Sequence, residues 1–363
     1  MKNSFGNAIN VTVFGESHGV GVGVLIDGIC PGLPVDEDFI AHQLTLRRPS
    51  GKISTARREA DEFSIQSGVF GGLTTGAPLC IFIPNTDTRS RDYTPELPRP
   101  SHADLTAHEK YHGFEDYRGG GHFSGRITAG LVAAGAIVID ALRQKGIYIG
   151  SRITKIAYVS DNSPTVTDKD VLLSLADSAF AVLDKQAGEN MQKAAENAAA
   201  DGDSVGGVLE TVILGLPAGL GEPWFDGVES QISRAVFGIP AVKGVEFGGG
   251  FALCEKRGSA TNDQFTYENG KIVTETNNSG GIQGGITNSM PVVFRTAIKP
   301  TPSISVIQKT VNLNTGKESE IVIKGRHDPC IVHRARVVLD SVAALVVADM
   351  LTVRYGSDAL KTI

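Results

Sequence analysis

Residues 124–146 read SGRITAGLVAAGAIVIDALRQKG, which is the longest apolar helix pattern in the chain. Apolar residues recur in it at helical spacing from Ala129 to Leu142, and Gly146 supplies a stop signal. The side chains are small and apolar around the whole helix rather than along one stripe. We therefore expect this helix to be buried on several sides, with other elements packed around it.

Upstream of this helix, β-branched residues predict strands over 10–14 and 20–26, interrupted by the polar turn GESHG at 15–19. A polar loop between two buried strands is a natural place for a functional site. Asp36 can cap a helix that continues into the Arg47-Arg48 pair. Both arginines would then lie at the C-terminal end of that helix.

The downstream elements predicted by the same patterns are two helices within 167–200, a strand over 205–216, a helix over 226–236, a strand over 292–298 and a final helix over 335–351. Strands and helices are mixed without the regular alternation of a doubly wound sheet. No tandem repeat or convincing linker divides the chain. The pattern predicts an α+β fold with residues 1–363 in a single domain.

The composition is that of a soluble globular protein, with 363 residues, 41% hydrophobic and 20% charged. A net charge of -6 argues against nucleic-acid binding by bulk electrostatics, so local cations must meet any anionic ligand. The longest apolar stretch, 131–139, ends at the charged residue Asp140, so we expect no membrane-spanning segment. Four cysteines without a CxxC pair indicate reduced thiols and a cytoplasmic protein.

The turn at 15–19 matches the GxSxG pattern of the serine-hydrolase nucleophile elbow, with Ser17 in the nucleophile position. An elbow needs a helix after the turn, whereas the residues that follow, VGVGV at 20–24, have strand character. A chance match in a chain with 43 glycines is the plainer interpretation. A hydrolase remains an alternative function at this point.

Five cations occur without an acid between residues 47 and 58; they are Arg47, Arg48, Lys52, Arg57 and Arg58. Such a run is most often a solvated surface. Pro49 and Gly51 force a turn inside it, however, so the cations would converge from a loop rather than follow one helix face. Arginine forks suit phosphate and carboxylate groups, because they donate two parallel hydrogen bonds.

Most of the histidines sit in turn-like or glycine-rich polar sequence, where an imidazole can transfer protons near neutral pH. His108 and His112 have a four-residue spacing but no carboxylate between them, which makes a zinc site a weak alternative. The segment 118–122, RGGGH, directly precedes the long helix. Backbone amides and the positive helix end predict an anion site there, although no Walker A or GxGxxG pattern is present.

Taken together, these stretches resemble the chorismate synthase family. The segments that carry the resemblance are, in order, FGESHG at 14–19, RRP at 47–49, RREAD at 57–61, SGVF at 67–70, NTD at 85–87, RPSHAD at 99–104, DYRGGG at 116–121, VKGVE at 242–246, GGI at 280–282, GGI at 284–286, KPT at 299–301 and GRHDPC at 325–330. They keep the family order from the N-terminus to the last helix, and only residues 160–205 have no recognisable counterpart.

The resemblance implies long helices sandwiched between two antiparallel sheets, and assembly as a homotetramer. It implies reduced FMN as cofactor and 5-enolpyruvylshikimate 3-phosphate as substrate. The reaction would be a 1,4-anti elimination of phosphate that yields chorismate, the last step of the shikimate pathway, with no net oxidation. No NADPH-oxidising domain is visible, so we expect an external flavin reductant.

The resemblance also implies roles for residues that match family positions. Those on the substrate side are Arg47, Arg48, Lys52, Arg118 and Arg126. Those in proton transfer or near the reacting flavin are His18, His102, Ser17, Ser124 and Asp328, with Asp328 as the final base. Those that contact FMN are His122, Phe123, Ser124, Ala241, Gly284, Lys299, Pro300, Thr301, Pro302, Ser303 and Arg326.

The chain departs from the family pattern after the three glycines, where many members have Arg-Ser and this chain has His122-Phe123. Pro240 also stands where asparagine is frequent. Which histidine performs which proton transfer stays open at the level of sequence. Three functions therefore remain in competition: a flavin-dependent lyase, a serine hydrolase using Ser17, and a non-catalytic flavin- or anion-binding protein.

Overall fold

The structure is a computed structural model that describes residues 2–49, 51, 53–54, 59–86, 94–268, 270–323 and 328–361. Its strands are β1 Ser4–Phe5, β2 Asn10–Gly15, β3 Gly21–Asp27, β4 Ser64–Ser67, β5 Val69–Phe70, β6 Leu73–Thr74, β7 Leu79–Pro84, β8 Tyr148–Ile156, β9 Val159–Ser160, β10 Gly207–Leu214, β11 Val242–Phe247, β12 Phe265–Glu268, β13 Lys271–Thr274, β14 Ile282–Gln283, β15 Ile286–Thr287, β16 Val292–Ile298, β17 Gln308–Val311 and β18 Glu318–Ile321. Its α-helices are α1 Glu37–Arg47, α2 Asp104–Tyr111, α3 Thr128–Gln144, α4 Lys169–Ala176, α5 Lys185–Ala200, α6 Val228–Val236, α7 Gly258–Thr261 and α8 Val332–Tyr355.

Two antiparallel five-stranded sheets form the outer layers. The first has the strand order β1-β2-β3-β7-β4, and the second has the order β11-β16-β10-β8-β9. In the first sheet the register pairs Val13 with Val24 and Val24 with Ile81, so apolar side chains of three strands lie side by side. Short hairpins, such as β12-β13 and β17-β18, extend from this framework.

The helices α3 and α8 lie between the sheets and pack on each other. α3 contacts β3 and β7 of the first sheet, while α8 contacts β8 and β10 of the second. Two glycines of α3 allow the close approach, because a Cβ at Gly130 would lie 2.9 Å from the Gly23 carbonyl oxygen and one at Gly135 would overlap Ser341 of α8. The fold implied by the resemblance, long helices between two antiparallel sheets, is confirmed.

The second sheet is covered on both faces. Val212 and Ile213 are adjacent in β10 and therefore point to opposite faces. Ile213 joins the core around α3 and α8, whereas Val212 packs with Leu172 and Leu175 of α4 in a separate cluster. The segment 160–205 supplies this outer cover through α4, whereas buried residues of α5, such as Met191 and Ala195, belong to the main core.

The apolar stretch 124–146 forms α3 and the short turn before it. The segment Gly125–Gln144 is long and apolar enough to cross a membrane by composition, but 83% of its most apolar window is buried inside the protein. It is a core helix, as its small apolar side chains predicted. It is not the longest helix, because α8 has 24 residues against 17 in α3.

The local predictions near the N-terminus are confirmed. β2 and β3 occupy the two predicted strands, and Asp36 caps α1 by accepting a hydrogen bond of 2.9 Å from the Phe39 backbone N–H. Arg47 is the last residue of α1 and Arg48 is its C-cap. A strand rather than a helix follows the turn at 15–19, so the nucleophile-elbow geometry is absent.

Candidate active site

A cleft of about 950 Å³ opens beside the glycine-rich segment 118–125 and collects side chains from both halves of the chain. Its described lining includes nine Lys or Arg residues but only three acids. The cations are Lys2, Arg47, Arg48, Arg99, Arg126, Arg234, Lys243, Lys299 and Arg334, and the acids are Glu59, Asp61 and Asp328. A chain with a net charge of -6 therefore concentrates positive charge at one place, which suits anionic ligands.

His18 lies in the loop between β2 and β3 and lines the cleft. Ser17 is fully buried beside it, with its Oγ 3.2 Å from His18 Nδ1 and donating a hydrogen bond of 3.2 Å to the Arg118 carbonyl oxygen. The Ser17 backbone N–H donates to the Gly121 carbonyl oxygen at 3.1 Å. The β2–β3 loop is thus bound to the glycine loop, and Ser17 fixes the orientation of the His18 ring.

His102 lies across the glycine loop from His18. Its Nδ1 is 2.6 Å from Asp104 Oδ1, and because a carboxylate can only accept, Nδ1 carries the proton and Nε2 remains for exchange. Arg99 binds the same carboxylate through Nε at 2.7 Å and Nη2 at 2.8 Å. Burial would raise the pKa of Asp104, but the hydrogen bonds from Arg99 and His102 outweigh it and hold that pKa well below its usual range.

The glycine loop separates the two imidazoles. Gly119, Gly120 and Gly121 all have positive φ angles of 62°, 86° and 52°. A Cβ at Gly119 would overlap the His18 ring, and a Cβ at Gly120 would lie 3.1 Å from His102 Cε1. These positions therefore need glycine both for their backbone conformation and for the rings packed against them.

Arg47 and Arg126 meet at one buried carboxylate. Arg47 Nη2 donates to Asp61 Oδ2 at 2.6 Å, and Arg126 Nη1 binds the other oxygen, Asp61 Oδ1. Arg126 Nη1 is also 3.3 Å from Glu59 Oε2. Arg47, the first residue of the cationic run, is only 7% exposed, so it is not part of a solvated surface.

His122, Phe123 and Ser124 all line the cleft. His122 Nδ1 donates to the Gly15 carbonyl oxygen at 2.8 Å, which orients the imidazole ring in the cleft wall. The Phe123 ring is 40% exposed and packs at a 6.1 Å centroid distance from Tyr111. Ser124 Oγ accepts the Arg126 backbone N–H at 3.2 Å and so starts the turn that leads into α3.

Lys299 and the turn after it form the wall contributed by the second sheet. Lys299 Nζ donates to the Ser101 carbonyl oxygen at 2.6 Å, and its backbone N–H donates to the Ala241 carbonyl oxygen at 2.9 Å. Burial, helped by the nearby Lys243, lowers the pKa of Lys299. Thr301 Oγ1 donates to the Asp328 carbonyl oxygen at 2.7 Å, which ties this turn to the start of α8.

Asp328 lines the cleft just before α8, and its Oδ2 is 3.1 Å from Arg334 Nη2. This contact fixes the carboxylate group of Asp328 at the wall of the cleft. His333, next to Arg334, faces the protein interior, where burial and then the Arg334 charge lower its pKa to about 4. His333 is therefore neutral at physiological pH and is separate from the histidines of the cleft.

The fold brings most of the predicted site residues to this cleft. Those that line it are His18, Arg47, Arg48, His102, His122, Phe123, Ser124, Arg126, Ala241, Lys299, Thr301, Pro302, Ser303 and Asp328. Described residues that do not line it are Ser17, Arg118, Gly284 and Pro300; Arg118 binds its neighbour Asp116, with Nε 2.8 Å from Oδ1. Lys52 and Arg326 lie outside the described residues.

Sequence reasoning missed five residues that line the cleft, namely Arg99, Arg234, Lys243, Arg334 and Asp61, and also Asp104, which is outside the lining but binds His102. Asp104 carries a usable signal, because it follows His102 by two residues and can orient that ring. Arg234 and Arg334 carry none, since a single arginine in an amphipathic helix normally faces solvent. Among the described side chains, neither Arg234 nor Lys243 has an acidic partner.

The arrangement suits anionic ligands. The Arg47 and Arg48 Nε atoms are buried without a hydrogen-bond partner among the described residues, as expected of donors that await a ligand. Because the glycine loop has no side chains, its backbone can lie directly beside the imidazole rings of His18 and His102. Cations, an exposed aromatic ring and a volume of about 950 Å³ together suit bulky anionic ligands.

The two alternative sites find no support in this geometry. Ser17 Oγ is buried behind His18 and is followed by a strand, so it is no exposed nucleophile. Across the described part of the chain, no group of three His, Cys, Asp or Glu side chains could hold a metal ion. His108 Nδ1 instead lies 3.3 Å from Glu115 Oε1 in an ordinary ion-pair contact.

Comparisons with known proteins agree with one another. The family model described as "Chorismate synthase" matches residues 9–352. The chain is 46% identical to a chorismate synthase of Aeropyrum pernix over 97% of its length and 93% of the relative, and 47% identical to one of Pyrococcus abyssi over 96% of its length and 97% of the relative. A crystal structure of a chorismate synthase, 31% identical, superposes with a TM-score of 0.76 over 97% of this chain and 94% of the other.

Proposed function

The chain belongs to the chorismate synthase family and is a lyase of that kind, and from this premise we propose how its own residues carry out the reaction. The proposed reaction is a 1,4-anti elimination that releases phosphate from 5-enolpyruvylshikimate 3-phosphate and yields chorismate. The observation that supports it best is the cleft itself. Among the described residues, nine cations, three imidazoles and three arginine-paired carboxylates line a single space.

We propose reduced FMN as the cofactor, held by His122, Phe123, Ser124 and Ala241 together with Lys299, Pro300, Thr301, Pro302 and Ser303; Gly284 and Arg326 are further contacts by family match. Lys299 and Lys243 have no acidic partner among the described residues, and their positive charge suits a phosphate. When bound, reduced FMN supplies electron density to the elimination and is recovered unchanged, because the reaction has no net oxidation. His122 offers an imidazole Nε2 where other members offer arginine.

The substrate carries a phosphate and two carboxylates, and we assign Arg47, Arg48, Lys52, Arg118 and Arg126 to its binding. The Nε donors of Arg47 and Arg48 are buried and have no partner in the described part of the chain, which supports their place in this set. Arg118 is paired with Asp116 and 40% of its side chain is exposed. It would have to leave Asp116 to reach the substrate, so its part in binding is the least supported by the geometry.

Proton transfer is assigned to groups on the two sides of the glycine loop. His18, oriented by Ser17, gives a proton to the departing phosphate oxygen. His102, with Asp104 holding its Nδ1 proton, exchanges a proton at Nε2 on the flavin side. Asp328 is the final acceptor of the proton from the substrate C6, and its contact with Arg334 holds its carboxylate group at the cleft wall. Ser17 and Ser124 orient these groups.

We expect anaerobic protein supplied with chemically reduced FMN and the enolpyruvyl phosphate to release inorganic phosphate and to gain chorismate absorbance in equal amounts. Oxidised FMN should support neither change, because it cannot supply the electron density. NADPH with oxidised FMN should also fail, since an external reductant is proposed.

Three outcomes would contradict this proposal. Turnover without any flavin would show that the reaction does not need FMN. Flavin binding without turnover would favour a non-catalytic binding protein. Covalent labelling of Ser17 by a fluorophosphonate probe would favour a hydrolase.

We also propose a homotetramer, supported by bulky apolar side chains that the single chain leaves exposed. Trp224 is 86% exposed, Phe225 90% and Phe251 80%, which is unusual for residues of this size. We expect sedimentation at the mass of four chains, and a smaller species after Trp224→Ser combined with Phe225→Ser. A wild-type protein that sediments as one chain at micromolar concentration would rule the tetramer out.

We also propose a cytoplasmic location for the protein. All four cysteines are free, and Cys254 is exposed. An exposed free thiol is compatible with a reducing compartment, which is the observation behind a cytoplasmic location.

A further inference from the structure

Asp61 is a buried acid at the centre of a cationic cleft. Its side chain has no exposed surface, and each carboxylate oxygen binds a different arginine, Arg47 at Oδ2 and Arg126 at Oδ1. Both arginines are buried as well, with side chains 8% and 3% exposed. Burial would raise the pKa of Asp61, but the charges of Arg47 and Arg126 outweigh it and lower that pKa, so the group is a carboxylate.

The backbone of Asp61 is held in an unusual conformation. Its φ angle is +52°, in the left-handed region that few residues other than glycine adopt, although aspartate and asparagine do so more readily than most. Such conformations persist where the surrounding structure holds them, and they cluster at functional sites. Ser101 and Ala241, with φ angles of +60° and +73°, are two further examples on the wall of the same cleft.

Arg47 keeps a donor that Asp61 does not use, whereas Arg126 also donates within the fold, from Nε to Asn85 Oδ1 and from Nη2 to the Pro84 carbonyl oxygen. Each guanidinium has five N–H bonds, and Asp61 engages one nitrogen of each. Arg47 Nε has no partner among the described residues, and both arginines line the cleft. Without the carboxylate between them, two buried like charges would repel and lose their common orientation.

A chain of hydrogen bonds extends from Asp61 to the loop of His18. Arg126 Nε donates to Asn85 Oδ1 at 3.0 Å. Asn85 Nδ2 in turn donates to the Glu16 and Gly19 carbonyl oxygens, at 2.9 and 3.0 Å, on both sides of Ser17 and His18. The position of Arg126 is thereby coupled to the loop that carries the proposed proton donor.

We propose that Asp61 is a positioning residue that orients Arg47 and Arg126 as one rigid pair of anion-binding groups. It would act through these arginines and not by contact with the substrate. The inference rests on the proposed function, because it takes both arginines as substrate ligands. Its physical content is preorganisation: arginines fixed before binding lose less conformational freedom when the anion arrives.

The test is Asp61→Asn, which keeps the shape and the tolerance of a positive φ angle but removes the charge. We expect KM for the enolpyruvyl phosphate to rise about 10- to 100-fold, the effect of one charge-assisted hydrogen bond, with a smaller change in kcat. Calorimetric affinity for the substrate, measured without reduced flavin, should fall by the same factor. Affinity should also become more salt-dependent, as net charge replaces directed hydrogen bonds.

Asp161→Asn is the matched control. Asp161 is also a carboxylate with no exposed side-chain surface, and it lies 3.5 Å from Arg152 Nη1 away from the cleft. Both variants should lower the melting temperature, but only Asp61→Asn should change KM. An Asp61→Asn enzyme with unchanged or lower KM would overturn the inference.

A double-mutant cycle separates this inference from the assignment of Arg47. If Asp61 acts through Arg47, Asp61→Asn should add little to the KM of Arg47→Ala, whereas independent residues would multiply their effects. Multiplicative effects would overturn the inference while leaving Arg47 as a ligand. A wild-type KM in Arg47→Ala would instead show that Arg47 does not bind the substrate, which is the premise of the inference.

Discussion

Replacing His102 by alanine is expected to lower kcat by about 10²–10⁴-fold, the usual contribution of a positioned proton-transfer group. His102 is the cleft imidazole whose orientation is best defined, because Asp104 holds its Nδ1 at 2.6 Å and Arg99 holds Asp104. Its loss removes the proton carrier without opening the core, since the ring lies on the cleft wall. Anaerobic initial rates at saturating substrate measure the effect.

His42→Ala is the matched control for this prediction. His42 forms another His–Asp pair, with Asp177, but on the exposed surface. Its loss should leave kcat near the wild-type value. Asp104→Asn should give an intermediate loss of kcat, because the ring remains while its tautomer is no longer enforced. A His102→Ala enzyme with wild-type kcat would remove His102 from the mechanism.

Gly119→Ala is expected to lower kcat as severely as removal of an imidazole, although it deletes no functional group. A Cβ at this position would overlap His18 Cε1 and Nδ1 and approach Ser17 Oγ at 2.7 Å. Either the His18 ring or the glycine loop must move, and a displacement of about 1 Å in a catalytic group can cost 10²-fold. The predicted loss of kcat is therefore at least about 10²-fold.

Gly71→Ala separates this steric effect from backbone strain. Gly71 has a φ angle of +59°, close to the +62° of Gly119, but a Cβ there would meet no atom within 4 Å. Both variants carry the same strain of an alanine in the left-handed region, so any additional loss of kcat in Gly119→Ala reports the steric overlap with His18. Equal activity in the two variants would show that the contact between the glycine loop and His18 is unimportant.

The concentration of charge explains how an acidic protein can bind several phosphates and carboxylates. Most of the negative charge lies elsewhere, and the acids that enter the cleft are each bound to an arginine. Asp61 binds Arg47 and Arg126, and Asp328 binds Arg334. These pairs fix the direction of the guanidinium groups, whereas Arg234 and Lys243 contribute charge without a described acidic partner.

Local elements were predictable where a local rule decides them. The helix at 128–144 follows from its apolar periodicity, and the start of α1 follows from the preference for Asp36 as a helix cap. The strands β2 and β3 follow from β-branched residues around a polar turn. The same rules did not decide whether Arg47 lies on the solvated surface or in a binding site. Periodicity does not predict which tertiary partner a charged side chain contacts.

The chemistry-bearing residue types, their order and the family that they resemble were all determined by sequence alone. Only the tertiary structure decided that Asp61 binds both Arg47 and Arg126, and that a glycine loop stands between His18 and His102. The physical reason is distance along the chain. These contacts join residues up to about a hundred positions apart, so they depend on how the sheets and helices pack and not on the propensity of any short segment.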